Sequence, residues 1–378
     1  MLQRWMKSLA VVTTTCLLFA ACKQKTYSPD EPLPDTYTPS VFIGSQNRYL
    51  YAIDPATGTT KWELNMHNNI VATPIVVGNF LYVPSADTFY KLDVKKGTVV
   101  RKYYFNDADF KGFYSSPVSD GKTVYIASLN DTVYALDVNA DNIRWKHDMV
   151  DTVLSSLVIY NGGLIVANTK GVIKSLNIVN GIQQWAGSIP VPVGSLSSSP
   201  AVSSPYLYVG STDGNMHALY LSNGTPAWTF PTGGIVASSP IVYGGNVIFG
   251  SADNYVYCVD STAKTARWKF KTNDRVMSSA AAYGQVVYIG GYDSYLYALN
   301  ILDGSLKWKY LTKSLIQSSV LATDGSVYMG GFDKMFYKLD TTGNLKWTYN
   351  MGGIIQTSPV FYDLSRAYYP SITGSYQY

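Results

Sequence analysis

Val287 to Trp308 reads VYIGGYDSYLYALNILDGSLKW. An alternating apolar run ends in small residues, Asp293 marks a polar turn, a second alternating run ends at Asn300, and a turn at Gly304 leads to Trp308. That is two hairpins in one unit. Close variants recur from Val41 almost to the C-terminus. Trp62, Trp145, Trp185, Trp228, Trp268, Trp308 and Trp347 mark the period, with Arg101 standing where an eighth would fall. Successive markers are 39 to 44 residues apart. A period of about 40 residues built from four short strands is the mark of a β-propeller blade, whereas helical repeats of that length would show a 3.6-residue periodicity.

The first strand of each unit opens with a pair of small residues, as in Ser115-Ser116, Ser155-Ser156, Ser198-Ser199, Ser238-Ser239 and Thr357-Ser358. Eight such starts and eight fourth-strand positions imply an all-β fold of eight four-stranded antiparallel blades. The N-terminal unit begins at its second strand, from Val41, and the C-terminal stretch Thr357 to Tyr362 is a first strand lacking its fourth. Joining the two makes a composite blade that closes the circle and removes the sheet edge. Ala367 to Ser371 resembles a further second strand (compare Leu81 to Ser85), so the tail either lies outside the ring or displaces the N-terminal strand.

Only 14% of the residues are charged and 32 are Tyr, a composition rich in strand formers. The net charge of +4 includes Arg4 and Lys7 and falls to +2 without them. Nothing there predicts nucleic-acid binding, which needs a concentrated basic patch. Residues 1–21 combine a basic start with an apolar run from Leu9 to Ala21. The run is too short to span a bilayer and reads as an export signal. Leu18 to Cys22 resembles a bacterial lipobox, which implies that Cys22 is acylated and becomes the mature N-terminus, leaving Cys258 without a disulfide partner. Residues 22–39 carry Pro29, Pro32, Pro34 and Pro39 among polar residues and read as an extended tether. Lys23 stands where an inner-membrane retention signal would put Asp, which favours the outer membrane of a Gram-negative bacterium. Residues 40–378 then form one propeller, expected to be monomeric.

In six units the third-strand position two residues before the closing Asp or Asn is small, namely Ala52, Ala135, Ser175, Ala218, Cys258 and Ala298, while Lys91 and Lys338 break the rule. A small residue there leaves room for an indole to lie across the sheet, so the seven repeat Trp are structural docking residues that staple blade to blade. Asn47, Asp87, Asn130, Asp213, Asp253, Asp293 and Asp333 recur in the turn between second and third strands. Asx side chains bond their own backbone in such turns, and identical placement in nearly every unit assigns them a structural job.

Ala52 to Trp62, AIDPATGTTKW, resembles the tryptophan-docking motif A-x-D-x-x-T-G-x-x-x-W of the pyrroloquinoline quinone (PQQ) enzyme-type repeat family. The resemblance covers Val41 to about Pro359, with departures at Arg101 for Trp, Tyr220 for Asp, and Asp141 and Lys264 for Gly. Enzymes with this repeat bind PQQ at the propeller axis beside a Ca²⁺ site and an adjacent Cys pair. Here no such Cys pair is present, and His67, His147 and His217 are isolated in sequence. No catalytic residue, cofactor or metal is therefore expected. Two kinds of function stay open. One is a non-catalytic envelope scaffold that presents loops to partner proteins, similar to the propeller lipoprotein of the outer-membrane β-barrel assembly machinery. The other is a propeller that binds, or acts on, a small molecule or carbohydrate in its central channel. The scaffold is the reading adopted.

The connection from Lys102 to Tyr114 is longer than its counterparts, rich in aromatics, and follows the unit whose Trp is replaced. Tyr103 and Tyr104 are expected to fold inward into the space of the missing indole. Phe110, Lys111 and Phe113 are expected to face out as partner contacts, because exposed aromatics with a few charges are typical of interface hot spots.

The lipobox resemblance gives the first prediction. Replacing Cys22 with Ser should move the protein from the detergent fraction to the soluble periplasmic fraction, since stable anchoring takes more than one acyl chain. Retention of the substituted protein in membranes would refute acylation at Cys22.

Overall fold

The computed structural model describes residues 38–105, 111–192, 196–363 and 366–369. The expected export signal, Cys22, nearly all of the expected tether and Phe110 lie outside the described residues. The remainder is an eight-bladed β-propeller of antiparallel sheets, seven of four strands and one of five, with no helix among the described residues. Second and third strands, such as Val286–Gly290 and Tyr295–Asn300, are buried almost throughout. Both faces of each sheet are covered by a neighbouring blade. Apolar clusters therefore sit between blades: one joins Ile241, Val256, Cys258 and Trp268 to Val287, Ile289, Tyr297 and Leu299 of the next.

The small pair ahead of each first strand does two jobs. Its first hydroxyl latches the strand to the end of the second strand. Ser278 Oγ donates to the Gly290 carbonyl at 2.6 Å and accepts from the Gly290 N–H at 2.9 Å. Its second hydroxyl reaches around the axis. The N–H groups of Ser156, Ser199 and Ser239 donate to the Oγ atoms of Ser199, Ser239 and Ser279 at 2.9, 2.9 and 3.0 Å. The glycine that ends most second strands leaves room for the residue two places before the next pair; a Cβ on Gly290 would lie 2.3 Å from Ile316.

The ring closes as its repeat logic requires. Ser40–Gly44 takes the second-strand seat between Tyr49–Ile53 and Val360–Tyr362, and Thr357 Oγ1 latches Gly44 with bonds of 3.1 and 2.7 Å. The tail displaces nothing. Ala367–Tyr368 pairs with the free edge of Val360–Tyr362 as a fifth strand on the axis side. That edge would otherwise present unpaired backbone groups. Tyr369 Oη then accepts from the Val76 N–H at 2.8 Å and donates to its carbonyl at 3.3 Å, tying the tail to the first strand of the following blade.

Each repeat Trp faces a small residue across its own sheet, as Trp308 faces Ala298, except that Trp347 faces Lys338. A β-bulge follows at once in every blade, between Ala298 and Leu299 in this one. The Trp308 ring rests on Gly343 of the next blade, where an added Cβ would come within 2.8 Å of the indole. Its N–H donates to the Thr341 carbonyl at 2.9 Å. Trp62, Trp145, Trp268 and Trp347 donate likewise to Val94, Ile178, Ile301 and Pro55 at 3.3, 3.0, 3.0 and 3.1 Å. Trp228 does not: its buried N–H finds no protein acceptor, and the next blade carries Lys264 where others carry Gly.

Three departures from the repeat meet at one junction. Arg101 turns outward and is exposed, and Lys91, only 5% exposed, crosses in place of an indole. Lys91 Nζ donates to the Val138 carbonyl, which is the repeat equivalent of the indole acceptors, at 3.0 Å, and to Asp141 Oδ1 at 2.8 Å. Asp141 occupies the glycine position, open here because no ring lies on it. Tyr103 Oη donates to the same oxygen at 2.6 Å. Burial works to raise the Asp141 pKa, but the Lys91 and Tyr103 hydrogen bonds outweigh it and hold the carboxyl below its usual range.

Lys91→Met leaves Asp141 without its cation and should cost about 3 kcal/mol. The triple change Lys91→Ala, Arg101→Trp and Asp141→Gly restores the common arrangement and should be at least as stable as the parent in urea unfolding. A triple variant weaker than Lys91→Met would refute the substitution of one arrangement for the other. Because the Asp141 carboxyl is depressed in the folded state, its contribution is present above the unfolded-state value near pH 4 and is lost as pH falls through the lower folded value, so the cost of Lys91→Met should shrink below about pH 4. For closure, ending the chain before Thr357 removes the latch and the composite strand and should unfold or oligomerise the protein. Ending it after Tyr362 removes the fifth strand and the Tyr369 bonds but keeps the latch and the composite strand, and should lower Tm by a few degrees. Equal melting temperatures would contradict this closure.

Candidate functional site

Antiparallel meandering puts the turns between second and third strands, and the connections from one blade to the next, on a single face. Most of the Asx residues on that face are engaged within the fold, whereas Asp87 is exposed. Asp253 Oδ1 accepts from the Tyr255 N–H at 3.1 Å, while Oδ2 accepts from Tyr257 Oη at 2.7 Å and from the Gly233 N–H on the incoming connection at 2.7 Å. Asp293 repeats this with Tyr295, Tyr297 and Asn273, and Asp333 with Met335, Tyr337 and Lys313. Burial, then the bond to the carboxylate, pushes the Tyr257, Tyr297 and Tyr337 pKa values up. In the Trp228 blade His217 takes the tyrosine's place, with Nε2 2.8 Å from Asp213 Oδ2. His217 is thus isolated in sequence but paired in space. The Asp253, Asp293 and Asp333 carboxylates thus fasten turns to connections, and the Asp213 carboxylate is held by His217.

Among the described residues no group of three or more His, Cys, Asp or Glu is placed to hold a metal ion. Cys258 is fully buried at the small-residue position facing Trp268. Burial pushes its thiol up to about 12, the opposite of what a reactive cysteine needs. Among the described residues no set of donors fits PQQ and its Ca²⁺.

The Lys102 to Tyr114 connection divides its aromatics differently from the sequence expectation. Tyr103 is buried as expected, but Tyr104 is 69% exposed. Phe113 is 1% exposed and cannot contact a partner: its ring packs 5.8 Å from Phe89 and 5.2 Å from Phe105. It is the repeat counterpart of Ile70, Val153, Val236, Val276, Ile316 and Ile355, all buried two residues before a small pair. That alignment was the available signal. Strand alternation from Arg101 also puts Tyr103 and Phe105 on the indole side and Tyr104 on the other. Lys111 is exposed as expected, and Tyr114, 51% exposed, joins Tyr104 on the surface.

The C-terminal end of the connection is pinned. Gly112, at φ +101°, passes so close to the Asp87 turn that a Cβ would overlap the Ala86 carbonyl, and its own carbonyl accepts from the Leu129 N–H at 2.8 Å. On the incoming strand Lys102 Nζ stands 5.3 Å from the Tyr90 ring. Tyr104, Lys111 and Tyr114 are thus exposed, while Tyr103, Phe105 and Phe113 of the same connection are buried.

Comparison with known proteins gives consistent matches. Outer membrane protein assembly factor BamB of Salmonella typhimurium is 26% identical over 169 residues, 44% of this chain and 41% of that protein. The Escherichia coli protein of the same name is 24% identical over the same length, and that of Bordetella pertussis 24% over 222 residues, 58% of this chain and 54% of the relative. The chain thus aligns with about two fifths to half of the length of these relatives. The crystal structure of BamB from Moraxella catarrhalis superposes with a TM-score of 0.67 at 17% identity, covering 80% of this chain and 95% of that one. A computationally designed protein, Ika8, gives 0.68 at 13% identity, covering 79% and 95%; at such identities both show the shared fold. One family model matches residues 33–104, 106–193, 187–314 and 255–372, and the chain therefore belongs to the family described as outer membrane protein assembly factor BamB.

Proposed function

We propose that this chain is a non-catalytic, lipid-anchored scaffold of the cell envelope that holds partner proteins during outer-membrane protein assembly. The observation that carries the reading is the pairing of family membership along nearly the whole ring with three exposed side chains, Tyr104, Lys111 and Tyr114, on one connection whose C-terminal end is pinned to two turns. Exposed rings next to a pinned segment suit a docking surface, because that segment has less freedom to lose on binding. The anchor at Cys22 and the tether through residue 39 are part of the proposal and would keep this surface within reach of membrane-bound partners. PQQ-dependent dehydrogenation is not favoured by any residue set described above.

Affinity purification of the full chain from detergent-solubilised envelopes should recover outer-membrane assembly proteins. The double change Tyr104→Ser and Tyr114→Ser should leave Tm within about 2 °C, as surface substitutions do, and abolish that recovery. A parent that recovers no assembly protein would overturn the scaffold reading. Undiminished recovery by the double variant would move the contact to another surface.

A further inference from the structure

We propose that the junction between the Trp185 and Trp228 blades holds a binding site for a neutral pyranose. It lies on the face opposite to the aromatic connection and is independent of the scaffold reading. A cleft of about 480 Å³ opens there among the turns that join first to second and third to fourth strands, lined by Tyr160, Ile165, Ser175, Gln184, Trp185 and Leu221 among others. Such a volume falls in the range of small-molecule sites, about 300–1,000 Å³.

The cleft is there because two filling positions are at their smallest. Facing Ser175 across the sheet is Ile165, whereas the equivalent residue is Tyr82, Tyr125, Tyr208, Tyr288 and Tyr328 in five other blades and Phe42 in the composite one. The Trp268 blade also has an isoleucine, Ile248, but two residues earlier it carries Asn246 where the Trp185 blade carries Gly163. A Cβ on Gly163 would come within 2.5 Å of Ser175 Oγ and 2.9 Å of Gln184 Oε1. The glycine thereby admits the Gln184 amide, and Ser175 Oγ donates to its oxygen at 2.8 Å.

This leaves two hydrogen-bond donors without protein partners beside the cleft. With Gln184 Oε1 taken by Ser175, its amide nitrogen is free. The Trp185 ring docks on Gly224 as its sisters do on their glycines, yet its indole N–H makes no bond to the carbonyl of Leu221, the counterpart of the acceptors used by five other indoles. Five of the ten lining side chains are serine, asparagine or glutamine, and none is charged. An ionic ligand would lose its water with no counter-charge in return, and a purely apolar one would cover the two donors and leave them unsatisfied. The rings of Tyr160 and Trp185 offer flat apolar contact. A neutral ring carrying several separate acceptor oxygens, a pyranose with hydroxyl or acetamido groups, meets all of these conditions.

Calorimetric titration of the full chain, held in a detergent without sugar head groups, with N,N′-diacetylchitobiose and with cellobiose tests the site. Saturable binding of at least one disaccharide is expected. Ile165→Tyr supplies the phenol that other blades carry; it should fill the cleft, keep or raise Tm, and abolish binding. Should that variant fail to fold, Gln184→Leu, at an exposed strand position, decides instead, with an expected loss of about tenfold in affinity. No saturable binding of either disaccharide by the parent overturns the proposal, as does undiminished binding by a folded Ile165→Tyr variant.

Discussion

The propeller depends on an indole laid across the gap between two sheets. In most blades the contact combines a small residue facing the indole on its own third strand with a bare backbone on the next blade. Glycine supplies the latter twice over: it adopts the left-handed turn, φ +92° at Gly343, and it removes the Cβ that would otherwise strike the ring. In five of the seven contacts the indole N–H also donates to a backbone carbonyl of the next blade. A well-packed contact of this kind is worth about 3–5 kcal/mol when truncated. Repeated around a ring closed by Ser40–Gly44 and Val360–Tyr362, it gives every blade two neighbours, so no terminal repeat is left to fray as in an open solenoid.

The Lys91 junction shows what the contact requires by replacing it. Once the ring is gone, glycine is no longer needed at position 141, a long side chain can stand at 91, and the carbonyl of Val138 still demands a donor. Lysine supplies the donor, and its charge then needs an anion, which the freed glycine position provides as Asp141. Lys338 makes the intermediate case. Its Nζ donates to the Pro55 carbonyl at 2.6 Å beside Trp347, whose N–H uses the same acceptor. A buried ion pair is weak as a source of net stability but costly to break. The Lys91 junction is therefore held by charges, where most of the others are held by packing.

Blade number, ring closure and the repeat tryptophans were legible in the sequence because each is a periodic signal summed over eight units. Arg101, Lys91 and Asp141 were legible as three separate departures, but their meeting at one place depends on pairing between adjacent blades, which a single repeat does not display. The Lys102 to Tyr114 stretch was misread for a related reason. Taken as a loop, its aromatics look alike; aligned to the repeat, Phe113 is the core residue before a small pair and Tyr104 has the outward parity. The seat of Ala367–Tyr368 was out of reach, because a strand that adds to an edge on the axis side has no counterpart in the other blades. The cleft was hidden because its cause is the joint smallness of Gly163 and Ile165, each unremarkable alone.

In a ring of near-identical units, positions filled alike in every blade answer to packing and closure. Function that is not eightfold has to reside where one blade differs from the rest. Some differences are absorbed, as at Lys91, and some leave a small deficit, as at the unpartnered Trp228 N–H beside Lys264. Two leave something a ligand or partner could use. The exposed Tyr104 and Tyr114 lie on the face of the blade-to-blade connections, and the cleft beside Trp185 opens among the turns of the opposite face. A protein docked on the first surface would leave the second open, so one propeller could be held by a partner and still take a small neutral ligand on its other side.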